Sequence, residues 1–204
     1  MKEKNIQWML EQEAEAVRNI PVDEAYKTAV ELIIKHVHQQ GGTLIISGMG
    51  KAGQIAMNIA TTFSSTGTPA CFLHPSEAQH GDLGIVRKHD LMLLISNSGK
   101  TRELIELIQL TRALVENIPC IVVTSDPESP LAREAAACLL TGAPTEVCPL
   151  GLTPTTSTTV MTVIGDLLVV SVMQRIGFTS ADYAKRHHGG YLGSKSRQQS
   201  KHEK

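Results

Sequence analysis

The hexapeptide Ser96-Asn97-Ser98-Gly99-Lys100-Thr101 places three hydroxyls at i, i+2 and i+5 around a glycine. It follows an apolar run, residues 91–95, and leads into helical spacing from about residue 101 to 116. A helix start presents unsatisfied backbone N–H groups, and its dipole favours negative charge. Three hydroxyls and several amides suffice to enclose a phosphate monoester without a metal. An ordinary helix N-cap needs only one hydroxyl, so the S-x-S-x-x-T group supplies more than a cap requires. Ser96, Asn97, Ser98 and Thr101 are therefore candidate ligands of an anion.

A second turn, Ser47-Gly48-Met49-Gly50-Lys51-Ala52-Gly53, satisfies G-x-G-x-x-G between a strand and a helix. A dinucleotide site of that type also wants an acidic residue near the end of the next strand to hold the ribose. This chain has Leu73-His74-Pro75 there. The Walker pattern fails too, with Ile45 where its first glycine belongs and Ala52 where a magnesium-binding hydroxyl belongs. What remains is a tight turn, Gly48 and Gly50, that brings Lys51 close to an anion. Glu146 and His187 lie in irregular segments among glycines and prolines, where functional residues concentrate. Glu103 falls in the first turn of a helix, where acidic residues serve the dipole without any other role. His80, in Gln79-His80-Gly81-Asp82, is suited either to contact a ligand or to brace its loop. His36, His38, His89 and His202 read as surface or tail residues. No His or Cys spacing matches a metal site.

The elements that must position these groups follow from periodicity. Helical spacing runs over about 5–18, and again after Pro21, with Asp23 as N-cap and Gly41-Gly42 as the stop. Apolar strands are expected at 43–47, 70–73, 91–95, 120–124 and 137–140, with helices after the first and third, a helix near Pro130, and a long apolar helix over 157–176. Strands apolar nearly throughout, most followed by a helix, imply a parallel sheet covered on both faces. The expected fold class is α/β, a doubly wound, Rossmann-like five-stranded sheet. Ligands of such sheets bind beyond the carboxyl ends of the strands, where both turns stand.

The chain has 204 residues, 42% of them apolar and only 3% aromatic, enough for one aliphatic core. One domain is expected: N-terminal helices over 1–40, an α/β core over 42–193 and a flexible tail over 194–204. With 19 basic and 20 acidic side chains the net charge is −1, which argues against a nucleic-acid or membrane-surface partner. No apolar run is expected to span a bilayer, and residues 1–4 lead into an amphipathic helix rather than an apolar signal core. The four cysteines form no C-x-x-C pair, and three sit in apolar strand-like runs. A reducing, cytoplasmic location is the expectation.

In their order and spacing, several stretches resemble the sugar isomerase (SIS) domain, and within it the arabinose 5-phosphate isomerases. They are Gly48-Met49-Gly50-Lys51, Ser65-Thr66-Gly67-Thr68-Pro69, His74-Pro75, Glu77-Ala78 and His80-Gly81-Asp82-Leu83-Gly84. They continue with Ser96-Asn97-Ser98-Gly99, Glu146, Cys148-Pro149-Leu150-Gly151-Leu152, Thr153-Pro154-Thr155, Thr158-Thr159, Gly165-Asp166, Gly177-Phe178-Thr179 and residues 187–190. The resemblance implies a catalytic group of Lys51, Glu103, Glu146 and His187. Substrate would be held by Gly48, Gly50, Thr66, His80 and the Ser96–Thr101 turn. It implies aldose–ketose isomerisation of a sugar phosphate, D-arabinose 5-phosphate with D-ribulose 5-phosphate, with no cofactor and no metal. It further implies a homodimer or homotetramer whose active sites are shared, with His187 reaching a neighbour's site. Either glutamate is a fit base for the enediol step, and His187 a fit ring-opening or shuttle group. Departures from the family pattern are Ala52 for serine, Lys100 for glutamate and His188 for proline; Lys100 would add positive charge beside the phosphate. Another phosphosugar isomerase, such as a 6-phospho-3-hexulose isomerase, shares the scaffold. So does a non-catalytic phosphosugar sensor, although no basic helix-turn-helix precedes Gly41. The paired CBS domains of many relatives are not expected in this polypeptide.

Overall fold

The computed structural model describes residues 5–202. Asn5 caps α1 (Ile6–Arg18), its Oδ1 accepting from the Trp8 N–H at 2.8 Å. Asp23 caps α2 (Glu24–Ile33) through the Ala25 N–H at 2.9 Å. A π-helical turn, Ile34–Gln39, then prolongs α2 toward Gly41. Five strands follow: β1 (Leu44–Gly48), β2 (Ala70–Phe72), β3 (Leu91–Ile95), β4 (Cys120–Thr124) and β5 (Ala137–Leu140). Between and after them lie α3 (Lys51–Ser65), α4 (Pro75–Ala78), a 3-10 turn (Asp82–Ile85), α5 (Arg102–Leu114), α6 (Pro130–Glu134), α7 (Thr156–Ile176), α8 (Ser180–Arg186) and α9 (Gly190–His202).

All strand pairs are parallel, in the order β2-β1-β3-β4-β5. This is the doubly wound arrangement that apolar strands alternating with helices dictate. The order reverses between β1 and β3, which opens a crevice at their carboxyl ends. Their register runs from Leu44 opposite Leu91 to Gly48 opposite Ile95. Both strands therefore end level, and the Gly48–Lys51 turn emerges beside Ser96.

Alternation sorts each strand's side chains between two cores. Leu44, Ile46, Leu91, Leu93, Ile95, Ile121 and Val123 meet α2, α3 and α7 on one face. Ile45, Met92, Leu94, Cys120 and Val122 meet α5 and α6 on the other. The two large helices of the first face approach closely at Gly165, where a Cβ would lie 2.3 Å from Ile59 Cδ1.

Four features depart from the sequence-based expectation. At 21 residues α7 is long and apolar enough to cross a membrane, which no run was expected to be, yet half of its apolar window is buried in this fold. Residues 194–202, expected as flexible tail, belong to α9 (Gly190–His202), which packs on α8 with Ser196 buried. Lys, Arg and Gln tolerate helix well, and contact with α8 supplies what composition does not advertise. His36 and His38 are half-buried on the π turn rather than on the surface, and burial lowers the pKa of both. Finally, the short helices α4 and α8 were not anticipated. Expectations about residues 1–4 and 203–204 lie outside the described residues.

Candidate active site

The Ser96–Thr101 turn is built to stay open above a fixed floor. Asn97 O accepts from the Ser125 N–H at 2.8 Å, the Ser125 hydroxyl at 2.7 Å and the Thr124 hydroxyl at 3.1 Å, which pins the turn to the end of β4. Gly99 has φ +61°, and a Cβ there would fall 2.0 Å from Ser129 Oγ, so only glycine fits. Its N–H donates to Ser96 Oγ at 3.1 Å, and the Ser96 and Thr101 hydroxyls share a bond of 2.7 Å. Thr101 is the N-cap of α5 and makes no side-chain cap bond. The first amides of α5 are thus left to an outside acceptor.

Lys51 opens α3 directly after Gly50, whose φ of +59° again calls for glycine and which offers no side chain to cap the helix. Across the crevice, residues 144–158 return from β5 and run into α7. Together these segments enclose an open cleft of about 550 Å³, lined by Lys51, Ser96, Asn97, Ser98, Thr101 and Glu146, with Ser157, Thr158 and Met161 from α7. The first turns of α3, α5 and α7 all converge on it. Each contributes roughly half a positive charge, to which Lys51 adds a full one. The cleft is thus suited to an anion, and its lining includes one carboxylate, Glu146.

That carboxylate is heavily engaged. Its Oε2 accepts from the Thr155 N–H at 2.7 Å, the Thr155 hydroxyl at 2.8 Å and the Ser157 N–H at 3.3 Å. Its Oε1 accepts from the Ser157 hydroxyl. Burial raises the Glu146 pKa, but the bonds from Ser157 and Thr155 outweigh it and hold the group below the usual glutamate value. Thr155 and Ser157 were missed as functional candidates. The run of threonines and serine at 155–159 was the available signal, but which hydroxyls meet Glu146 depends on how the loop folds back.

Other sequence-based candidates stand apart. Gly48 and Gly50 form the floor of the lysine turn, outside the cleft lining. Glu103 is half-buried in the first turn of α5 but does not line the cleft, and His80 is exposed beyond α4. Thr66 is buried at the far end of α3, where its hydroxyl donates to Thr62 O at 2.8 Å. It serves that helix end, not this cleft. Lys100 makes a 2.9 Å ion pair with Asp126 and is absent from the lining, so its charge is directed at the β4–α6 loop rather than at the cleft.

His187 is more distant. It stacks on Tyr183, with ring centroids 3.7 Å apart and planes 6° from parallel. The preceding helix α8 packs near Gly67, where a Cβ would meet Phe178 at 2.9 Å and Arg186 at 3.7 Å. Gly67 follows the C-terminus of the 15-residue α3, whose N-terminus carries Lys51. At 1.5 Å per residue the two ends of α3 are about 20 Å apart. Within one chain His187 therefore does not meet Lys51 or Glu146.

Comparison with known proteins adds three findings. The sequence profile of the SIS domain matches residues 37–171. The chain is 44% identical over 186 residues to arabinose 5-phosphate isomerase KdsD of Yersinia pestis, covering 91% of this chain and 55% of that protein. The chain thus spans about half the length of the curated relatives it matches. Among solved structures it is similar to a candidate phosphosugar isomerase involved in capsule formation from Bacteroides fragilis. The TM-score there is 0.90 and the identity 66%, over 91% of this chain and 97% of that one. It is also similar to an Escherichia coli protein in complex with arabinose 5-phosphate, with a TM-score of 0.81 and 34% identity over 89% and 95% of the two chains.

Proposed function

Since the chain belongs to the SIS domain family, we propose that it is an aldose–ketose isomerase interconverting D-arabinose 5-phosphate and D-ribulose 5-phosphate. The observation that carries this reading is the cleft itself: three helix N-termini and a hydroxyl turn around one lysine and one carboxylate. A phosphate dianion suits the turn, and Lys51 and Glu146 line the same cleft, where the sugar chain would extend. The relatives named for this activity, and the structure holding arabinose 5-phosphate, support the choice of sugar.

The reaction moves a proton from C2 of the aldose to C1. A base removes the C2 proton, the electron pair forms the C1–C2 double bond of an enediol, and O1 gains a proton. O2 then loses its proton and becomes the ketone while C1 is protonated. The process is redox-neutral within the sugar, so side chains suffice: acid, base and stabilised oxyanion. Lys51 is assigned to the oxyanion, Glu146 and Glu103 to the carboxylate functions and His187 to proton shuttling between the oxygens. Ser96, Asn97, Ser98 and Thr101 hold the phosphate, with Gly48 and Gly50 shaping the lysine turn.

For His187 to act, a second copy must bring it, so the working unit is a homodimer or homotetramer with shared sites. The distance along α3 supports this, as do the exposed apolar side chains Ile6 and Leu10 on α1 and Leu167 and Val170 on α7. The balanced charge supports a protein with no nucleic-acid or membrane-surface partner, and its four unpaired cysteines support a reducing, cytoplasmic location. The test is a panel of pentose and hexose phosphates followed by NMR. Conversion of D-arabinose 5-phosphate ahead of the others is expected; saturable binding of a phosphosugar with no conversion of any would overturn the reading.

A further inference from the structure

Glu146 receives four protein hydrogen bonds before any substrate arrives, three at Oε2 and one at Oε1. The donors are themselves fixed. Ser157 and Thr156 are each 1% exposed. The Thr156 hydroxyl donates to Glu13 Oε1 at 2.9 Å and accepts from the Val147 N–H at 3.2 Å, which ties α1, α7 and the Glu146 segment together. A cap of α7 alone would need one acceptor. Here two hydroxyls and two amides close on one side chain at the edge of the cleft.

We propose that Thr155 and Ser157 are positioning residues that keep Glu146 a fixed anion, and that Glu146 serves isomerisation by orienting the sugar hydroxyls rather than by taking the carbon-bound proton. This deepens the isomerase reading and rests on it. Bonds to its charged form make a carboxylate a weaker base, and Oε2, which accepts three of them, has no lone pair to spare. The neighbouring charges do not reverse this. Lys51 lies across the cleft on α3, and the α7 dipole also favours the anion, while Glu13 stands behind Thr156 and Cys148 lies in the same loop. The C2 proton then passes to a different group, and the clamp holds the sugar in register for that transfer.

The test uses the full chain with 13C-labelled glutamate carboxyls. It compares wild type, Ser157→Ala, the Thr155→Val/Ser157→Ala double variant and the hydroxyl-retaining Thr155→Ser, each checked for folding by circular dichroism. In the double variant the Glu146 titration midpoint is expected to rise by about one unit. With D-arabinose 5-phosphate, kcat is expected to fall about tenfold while KM changes less than threefold, as for an interaction expressed mainly in the transition state. Thr155→Ser retains most of both properties, and Ser157→Ala gives the intermediate result should the double variant not fold. An unmoved midpoint overturns the clamp. A kcat that is unchanged or raised on removing the clamp also overturns the proposal, because the bonds would then be parking a base. If the wild-type chain converts no sugar, the isomerase reading fails, and the midpoint still decides whether the clamp sets the state of Glu146.

Discussion

Ser96 and Thr101 share a hydrogen bond at 2.7 Å in which either can donate, so the accepting hydroxyl keeps its proton for a phosphate oxygen. Bonds to a charged group contribute about 1.5–3 kcal/mol each. Thr101→Val is therefore expected to raise the KM for a sugar phosphate by about 10- to 100-fold, measured by steady-state kinetics. Lys100→Ala should change that KM by less than about threefold, because an exposed pair like the one with Asp126 is worth little and its charge is directed elsewhere. A large loss of affinity in Lys100→Ala would show that the lysine leaves Asp126 for the phosphate. Cys148 offers a third residue-scale prediction. Slight burial raises its pKa, but N–H groups of Thr153 and Leu152 at 3.2 and 3.3 Å from Sγ bring it down to about 7. Iodoacetamide should label it before Cys71, Cys120 and Cys138, with a rate midpoint near that value, read by peptide mass spectrometry. The hydroxyl spacing of the Ser96–Thr101 turn was legible because the turn is local. The pairing of Lys100 with Asp126 was not, because it depends on the neighbouring β4–α6 loop.

The elements were legible where a periodic pattern had room to repeat. The five strands fall within a residue or so of their expected places, and α3, α5 and α7 begin near theirs. Helices of one or two turns were not, since the four residues of α4 complete barely one period. The closeness of α3 and α7 was equally hidden, because it rests on Gly165 meeting Ile59 across the fold. Gly165→Leu should destabilise the protein by about 1–3 kcal/mol through overpacking, read as a lower urea midpoint with an unchanged slope. An unaffected midpoint would mean that the two helices separate readily. The segment before α7 also gives a pH prediction. Glu146 has a lowered pKa in the folded chain, so its contribution to stability is present above its unfolded value and is lost as pH falls through the folded one. The stability gap between wild type and Glu146→Gln should thus be widest above about pH 5 and close on further acidification. A gap that widens in acid would contradict the direction of the shift.

At the scale of the molecule, the order reversal between β1 and β3 gathers Lys51, the phosphate turn and Glu146 at one end of the sheet. His187 is left near the other end of α3. Motifs nominate the candidate residues, but only the fold separates those that meet within one chain from those that do not. Mixing Lys51→Ala with His187→Ala subunits should recover up to about a quarter of wild-type activity in a dimer with shared sites, since half the dimers are mixed and each has one intact site. No recovery on verified mixing would confine the site to one chain. The most direct test of the whole account is the reaction of D-arabinose 5-phosphate with the full chain in D2O, followed by 1H NMR. The account predicts that D-ribulose 5-phosphate appears while solvent deuterium enters at the carbon that receives the proton. Binding without conversion would contradict the isomerase, and conversion with the migrating hydrogen fully retained would contradict the solvent-exchanging enediol.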